Sequence, residues 1–183
     1  MLISYDSAMR FIEAYKAVLL HILADAKLRT TTSIHHNLIS ARTFASKHPG
    51  LLGKTIDAME AAQEPLAPSV ASAVRSMQVK QWIYLRQTTR YAVFLDTDTD
   101  NAFEVRALTD PLNAVAEAPP ILVETGLFRY EGVVVCDGLL LNTIFLGRGY
   151  KASFDANYTR LRKAGRLYKT AEQFEQVFMP VQR

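Results

Sequence analysis

The hydrophobic period of the chain changes once, near Val79, and that change constrains the fold more than any other feature. Before it, apolar residues recur every three or four positions, the spacing of one face of an amphipathic helix. Ala8, Phe11, Ile12, Tyr15, Val18, Leu19, Ile22 and Leu23 form the first stripe, with Asp6 and Ser7 as caps or first-turn residues. A sparsely apolar loop, 27–32, follows. Ser33 then predicts the cap of a second helix that runs to Lys47 and stops at Pro49-Gly50. Residues 51–63 predict a third helix with Leu52, Ile56 and Met59 on one side. Pro65 and Pro68 break the pattern, and residues 69–77 predict one more short helix.

Beyond Val79 the period is that of strands. Residues 79–86 and 91–95 are β-branched and aromatic, with Thr88-Thr89 as the turn between them. Phe103, Val105 and Ala107 alternate with Glu104 and Arg106 as in a half-buried strand, closed by Asp110-Pro111. Residues 121–128, 133–136 and 139–146 complete a meander of about six strands. Glu131-Gly132 makes one turn. Asp137-Gly138 reads as a type I′ hairpin, because both of its central positions need positive φ. Gly147-Arg148-Gly149 ends the sheet, Ser153 caps a helix over 154–164, Gly165 stops it, and 171–178 forms a last helix. Helices, then strands, then helices define an α+β protein rather than an alternating α/β one. The expected architecture is N-terminal helices (1–78) packed on an antiparallel meander or partly closed sheet (79–146), followed by a basic C-terminal helix (within 147–183), all in a single domain spanning 1–183. A chain of 183 residues can bury a core of that kind without disulfide or metal staples.

The lone cysteine, Cys136, can form no intrachain disulfide, and it sits in an apolar strand as a buried thiol. The N-terminus lacks the basic flank and unbroken apolar run of a signal peptide, and no segment reaches membrane-span length. The expectation is a cytoplasmic protein with no membrane association.

Charge is unevenly placed. The net +3 is made of +2 over residues 1–78, −4 over 79–146 and +5 over 147–183. Between Gly147 and Lys169 stand Arg148, Lys151, Arg160, Arg162, Lys163, Arg166 and Lys169 against one acid, Asp155, with Tyr150, Phe154, Tyr158 and Tyr168 interleaved. On a helix Phe154, Tyr158 and Leu161 share the face that packs on the sheet. Arg160 with Lys163, and Arg162 with Arg166, then make outward pairs of like charge. Such pairs repel unless an anion or an acidic surface neutralises them. The basic stretch reads either as a solvated face or as a binding surface. The predicted polyanion-binding set is Arg148, Lys151, Arg160, Arg162, Lys163 and Arg166, with nucleic acid as the first candidate ligand and an acidic protein partner as the other.

Catalytic motifs are sparse. Residues 96–101 resemble the start of an EF-hand loop, but Asn101 stands where glycine belongs and Ala107 where a bidentate glutamate belongs, so the segment reads as a polar turn. His35 and His36 are neighbours and point about 100° apart on a helix, so no metal site is expected. No cofactor is implied. Asp96, Glu104 and Asp137 form an alternative catalytic set, in which two carboxylates hold a divalent cation for phosphodiester hydrolysis. Arg106 stands where that chemistry wants a lysine, and an arginine stays protonated.

The run Leu127-Phe-Arg-Tyr-Glu-Gly-Val-Val-Val-Cys-Asp-Gly-Leu-Leu140, with Phe145-Leu-Gly-Arg-Gly-Tyr150 and Tyr158…Lys163-Ala-Gly165, resembles a segment of an uncharacterised bacterial protein family of unknown function. In that family an apolar-Pro-Phe element precedes a glycine, then an apolar strand ending Tyr-Asp-Gly-Leu, a Gly-x-Gly turn and a basic helix. Here Phe128-Arg129 replaces the Pro-Phe and Cys136 replaces the Tyr. Some relatives carry a Cys-rich C-terminal metal motif that this chain lacks. The resemblance covers about 40 residues, 127–165, and implies a bacterial-type accessory domain with no function attached. The expected function is a non-catalytic binding or regulatory module. The metal-dependent phosphodiesterase or nuclease and a self-associating structural protein, active as a homo-oligomer, are the alternatives.

Overall fold

Helices and strands separate along the chain where the period changes. A computed structural model describes residues 2–116 and 119–178. The chain groups into two compact units, Asp6–Ser76 and the remainder, which runs through Tyr5 and resumes at Met77.

The helical unit holds α1 (Tyr5–Asp25), α2 (Ile34–Ser46), α3 (Leu51–Ala61) and α4 (Pro68–Arg75). In α1 the predicted stripe is buried, except that Ile12 is only half-buried. Ser33 caps α2 by accepting the His36 N–H. Arg75 ties α4 to α3 through Asp57 at 2.5 Å and the Gly53 carbonyl at 3.3 Å. Among the described residues no helix is long and apolar enough to cross a membrane.

The second unit holds β1 (Gln78–Gln87), β2 (Ala92–Asp96), β3 (Asn101–Arg106), α5 (Leu112–Val115), β4 (Ile121–Tyr130), β5 (Val133–Cys136), β6 (Leu141–Phe145), α6 (Gly147–Lys163), β7 (Leu167–Tyr168) and α7 (Ala171–Phe178). The first three strands run up and down. β4 then returns beside β1, antiparallel over seven residue pairs, which is the Greek-key arrangement. The other edge of β4 is shared: β5 pairs with Leu127–Tyr130, and β6 with the stretch from Ile121 to Glu124. β5 also pairs with β3, in parallel, through Val105–Val134 and Arg106–Val135. The ring β1-β2-β3-β5-β4 therefore closes on itself.

This corrects the expected meander. The sheet is a closed five-strand barrel, and its closing pair is parallel. Twist accumulates at each strand step, so a sheet of this size can curl until its first and last strands meet, and closure leaves fewer edge groups unpaired. Asp137-Gly138 is also not a hairpin, since β5 and β6 do not pair with each other. The positive φ pair expected there is found at Glu131 (50°) and Gly132 (74°), between β4 and β5. Asp137 instead accepts hydrogen bonds from the Thr125 hydroxyl at 2.9 Å and the Leu139 N–H at 3.0 Å, where the chain passes from its β5 pairing to its β6 pairing along the same edge of β4.

Alternation sorts the strand side chains into two sets. Trp82, Tyr84, Phe94, Phe103, Val105, Ile121, Val123, Val134 and Cys136 fill the barrel, with Leu112 of α5 and Phe174 of α7 joining them. The opposite set, Ile83, Leu85, Val93, Leu95 and Ala102, packs outward against Tyr158 and Leu161 of α6. β2 is buried at every position for this reason: barrel core covers one face and α6 the other.

Candidate polyanion interface

α6 begins six residues earlier than Ser153, so Gly147-Arg148-Gly149 is its first turn rather than a terminator of the sheet. Its end matches the expectation. Gly165 takes φ +70°, its N–H bonds the Arg162 carbonyl, and the Arg166 N–H bonds the Leu161 carbonyl. These two bonds make a Schellman cap. The cap turns Arg166 off the helix and back toward the β2–β3 turn, so Arg162 and Arg166 are not a helix-face pair.

The β2–β3 turn is organised around Asp96. Its carboxylate is buried and accepts from Lys80 Nζ at 2.6 Å on each oxygen, from the Thr99 hydroxyl at 2.6 Å and from the Asp98 N–H at 3.1 Å. Thr99 Oγ1 accepts from Asn101 Nδ2 at 2.9 Å, and Asn101 Oδ1 accepts from Arg166 Nε at 3.0 Å. Arg166 Nη2 also donates to the Thr99 carbonyl. Lys80 lies 4.8 Å from the Trp82 ring centroid and 5.5 Å from that of Phe178.

The barrel's acids meet the basic segment. Asp100 accepts from Arg160 Nη2 at 2.5 and 2.7 Å and from Arg166 Nη1 at 3.3 Å. Lys169 pairs with Glu104 at 3.0 Å. Asp155 receives Lys151 at 2.8 Å and Arg86 of β1 at 3.3 Å, and the Arg86 guanidinium stacks 4.6 Å over the Tyr158 ring. The Arg160 hydrogen bond holds the Asp100 carboxyl below the ordinary carboxylate range, and the same bond raises Arg160. Glu104 raises Lys169 in the same way, first by hydrogen bonding and then by charge. The neutralising acidic surface that the sequence calls for is thus partly the chain's own barrel.

What remains outward is a mixed surface. Arg162 and Lys163 are exposed and make no ion pair among the described residues. Arg148 lies in the first turn of α6, and its side chain falls outside the described residues. Tyr150 continues the stripe of Phe154 and Tyr158, yet it is 61% exposed, so the first turn reaches past the surface that buries Tyr158. Just before it, Phe145 is 63% exposed and Ile144 53%. Tyr150 lies over Phe154, with ring centroids 6.4 Å apart. Tyr168, in contrast, is half-buried against Phe103. Sequence reasoning missed Phe145, because an apolar residue in a strand reads as core. The available signal was its place near the end of the predicted strand 139–146, two residues before the Gly-x-Gly run.

The alternative catalytic set is spread over separate local networks. Asp96 is bound by Lys80 and Thr99, Glu104 by Lys169, and Asp137 by Thr125 and the Leu139 N–H. Among the described residues no three His, Cys, Asp or Glu side chains gather where they could hold a metal ion. Cys136 is a buried free thiol 3.2 Å from the Thr125 hydroxyl.

Comparison with known proteins gives no match: no family model, no curated protein and no solved structure aligns significantly with the chain.

Proposed function

We propose that the barrel unit is a non-catalytic module that binds single-stranded nucleic acid along α6. The observation that carries this reading is the exposed aromatic pair Phe145 and Tyr150 beside a helix whose outward cations include Lys151, Arg160, Arg162 and Lys163. Single-strand binders combine those two elements: aromatic faces on which bases stack, and a basic track for the backbone. From Tyr150 to Lys163 the helix rises about 20 Å at 1.5 Å per residue, enough to follow several nucleotides. A five-strand Greek-key barrel is also the architecture of the OB-fold, which binds oligonucleotides on its strand 2–3 face. Fold analogy does not assign function. Here that face is covered by α6, so the reading rests on the helix surface and not on the barrel wall.

The test is fluorescence anisotropy with labelled oligothymidylate, single-stranded RNA and duplex DNA across a salt series. Single strands should bind more tightly than duplex. The logarithm of affinity should fall against that of salt with a slope of about −0.7 per phosphate neutralised. Phe145→Ala with Tyr150→Ala should weaken binding by at least about tenfold, since stacking contributes roughly 1–3 kcal/mol per base. No binding at low salt, or binding indifferent to both aromatic changes, would refute the reading. Salt-sensitive capture of an acidic peptide without any nucleic-acid binding would favour an acidic protein partner instead.

A further inference from the structure

Asp100 stands where two arginines converge, and the inference drawn from it rests on the nucleic-acid reading above. It closes the β2–β3 turn with φ +54° and presents a carboxylate that is 41% exposed. Arg160 and Arg166 both donate to it. Each arginine has a second partner besides Asp100. Arg160 also donates to Asn157 Oδ1 at 2.7 Å, and Arg166 to Asn101 Oδ1 and the Thr99 carbonyl. Behind Arg166 stand the Schellman cap at Gly165 and the chain of bonds through Asn101 and Thr99 to buried Asp96. Without the Asp100 carboxylate, two pre-positioned guanidiniums would face one point in solvent, and planar guanidinium donors suit phosphate oxygens as well as carboxylate oxygens.

We propose that Asp100 is an internal competitor that occupies a two-arginine phosphate site, and that a backbone phosphate of a bound strand takes the site by displacing it. The exchange is easy because exposed carboxylate–guanidinium contacts are weak in water and weaken further with salt. A strand already stacked on Phe145 and Tyr150 supplies its phosphates at high effective concentration.

The experiment measures oligothymidylate affinity for the full chain and for Asp100→Asn, Asp100→Gly and Asp98→Asn. Asparagine and glycine both tolerate the left-handed φ, so the turn is kept. Asp98→Asn makes the same charge change on the same turn from a side chain that is 74% exposed and bonded to Lys80 rather than to the arginines. Both Asp100 variants should bind roughly three- to tenfold tighter at low salt, with a salt slope steeper by about 0.7 for the added phosphate contact. Asp98→Asn should gain less, and Arg160→Ala in the Asp100→Asn background should abolish the gain. Equal gains from Asp98→Asn and Asp100→Asn would overturn the site in favour of net charge alone. A binding wild type with folded Asp100 variants no tighter than it would overturn this inference and leave the proposed function standing. Binding by the variants alone would support the inference and show the resting chain to be closed. Binding by none would remove both.

Discussion

Asp96→Asn is the change that most directly tests how the barrel holds its β2–β3 turn. It removes one charge and keeps the shape: an amide oxygen at the Oδ1 position still takes the Asp98 N–H, while the amide nitrogen at the Oδ2 position donates to the Thr99 hydroxyl instead of accepting from it. The loss is the bidentate partner of Lys80, whose ammonium sits 2.6 Å from both oxygens and within 5 Å of the Trp82 ring centroid. Removing one member of a buried pair costs about 3–5 kcal/mol, because the other charge stays behind unpaired. Lys80 keeps 25% of its side chain exposed and has Asp98 as a second partner at 3.3 Å, so the expected loss is about 2–4 kcal/mol. For a unit of roughly a hundred residues a urea m-value of about 1–1.5 kcal/mol/M turns that into a midpoint about 1–4 M lower. The assay is urea denaturation followed by tryptophan fluorescence. Trp82 is the only tryptophan in the chain and lies under Lys80, so the signal reports this unit and this contact. Adding Lys80→Met to Asp96→Asn should recover much of the loss, because the stranded charge is gone. A single-variant loss below about 1 kcal/mol, or a double variant no better than the single, would refute the claim that this pair stabilises the turn.

Two further changes probe the barrel interior. Tyr84 is buried inside the barrel, and its hydroxyl has no hydrogen-bond partner among the described residues, so Tyr84→Phe should be neutral or stabilise by up to about 2 kcal/mol in urea melts; a loss above about 1 kcal/mol would reveal a partner. Burial, with a smaller push from Cys136, raises the Tyr84 phenol to about 12 from 10.0. A raised folded value means stability is intact below pH 10 and is lost as pH climbs toward 12, and Tyr84→Phe should flatten that alkaline decline. Gly126→Ala should cost about 1–3 kcal/mol, because the added methyl would lie 2.7 Å from an Asp137 carboxylate oxygen and 2.9 Å from the Met77 sulfur; an unchanged thermal midpoint would show that this packing is loose.

The α+β class was legible because period is a local property. The stripe of α1, the Ser33 cap and the alternation of β3 are each written in a few adjacent residues. Closure was not legible, because strand order is set by pairing between distant segments. Nothing in Val133–Cys136 says that it will lie parallel to β3, since a short apolar strand pairs as well on either side. The Asp137-Gly138 error has a definite physical cause. Dipeptide statistics price only the turn, while the structure gives the Asp137 carboxylate a better use in binding Thr125 and the Leu139 N–H beside a glycine that leaves it room.

The basic segment shows the same limit at the level of function. Its charge excess was visible in the sequence, and so was the need for something to neutralise it. Acids 60 residues away could not be assigned to it by spacing. Asp100 and Glu104 turn out to hold Arg160, Arg166 and Lys169, Asp155 of α6 takes Arg86 of β1 as well as its helix neighbour Lys151, and the contacts that cross to the barrel fasten α6 and the turn after it. Lys151, Arg160 and Lys169 stay about half-exposed and Arg166 partly so, open to competition from a polyanion, while Arg160 and Arg166 also bond the neutral partners Asn157, Asn101 and the Thr99 carbonyl. A fixed cation with a weakly held internal anion exchanges that anion without first having to be ordered. Binding should therefore lose little to side-chain immobilisation and depend steeply on salt. A solvated basic face would show the opposite order of effects: mobile cations, no gain from removing Asp100, and no role for Phe145 or Tyr150.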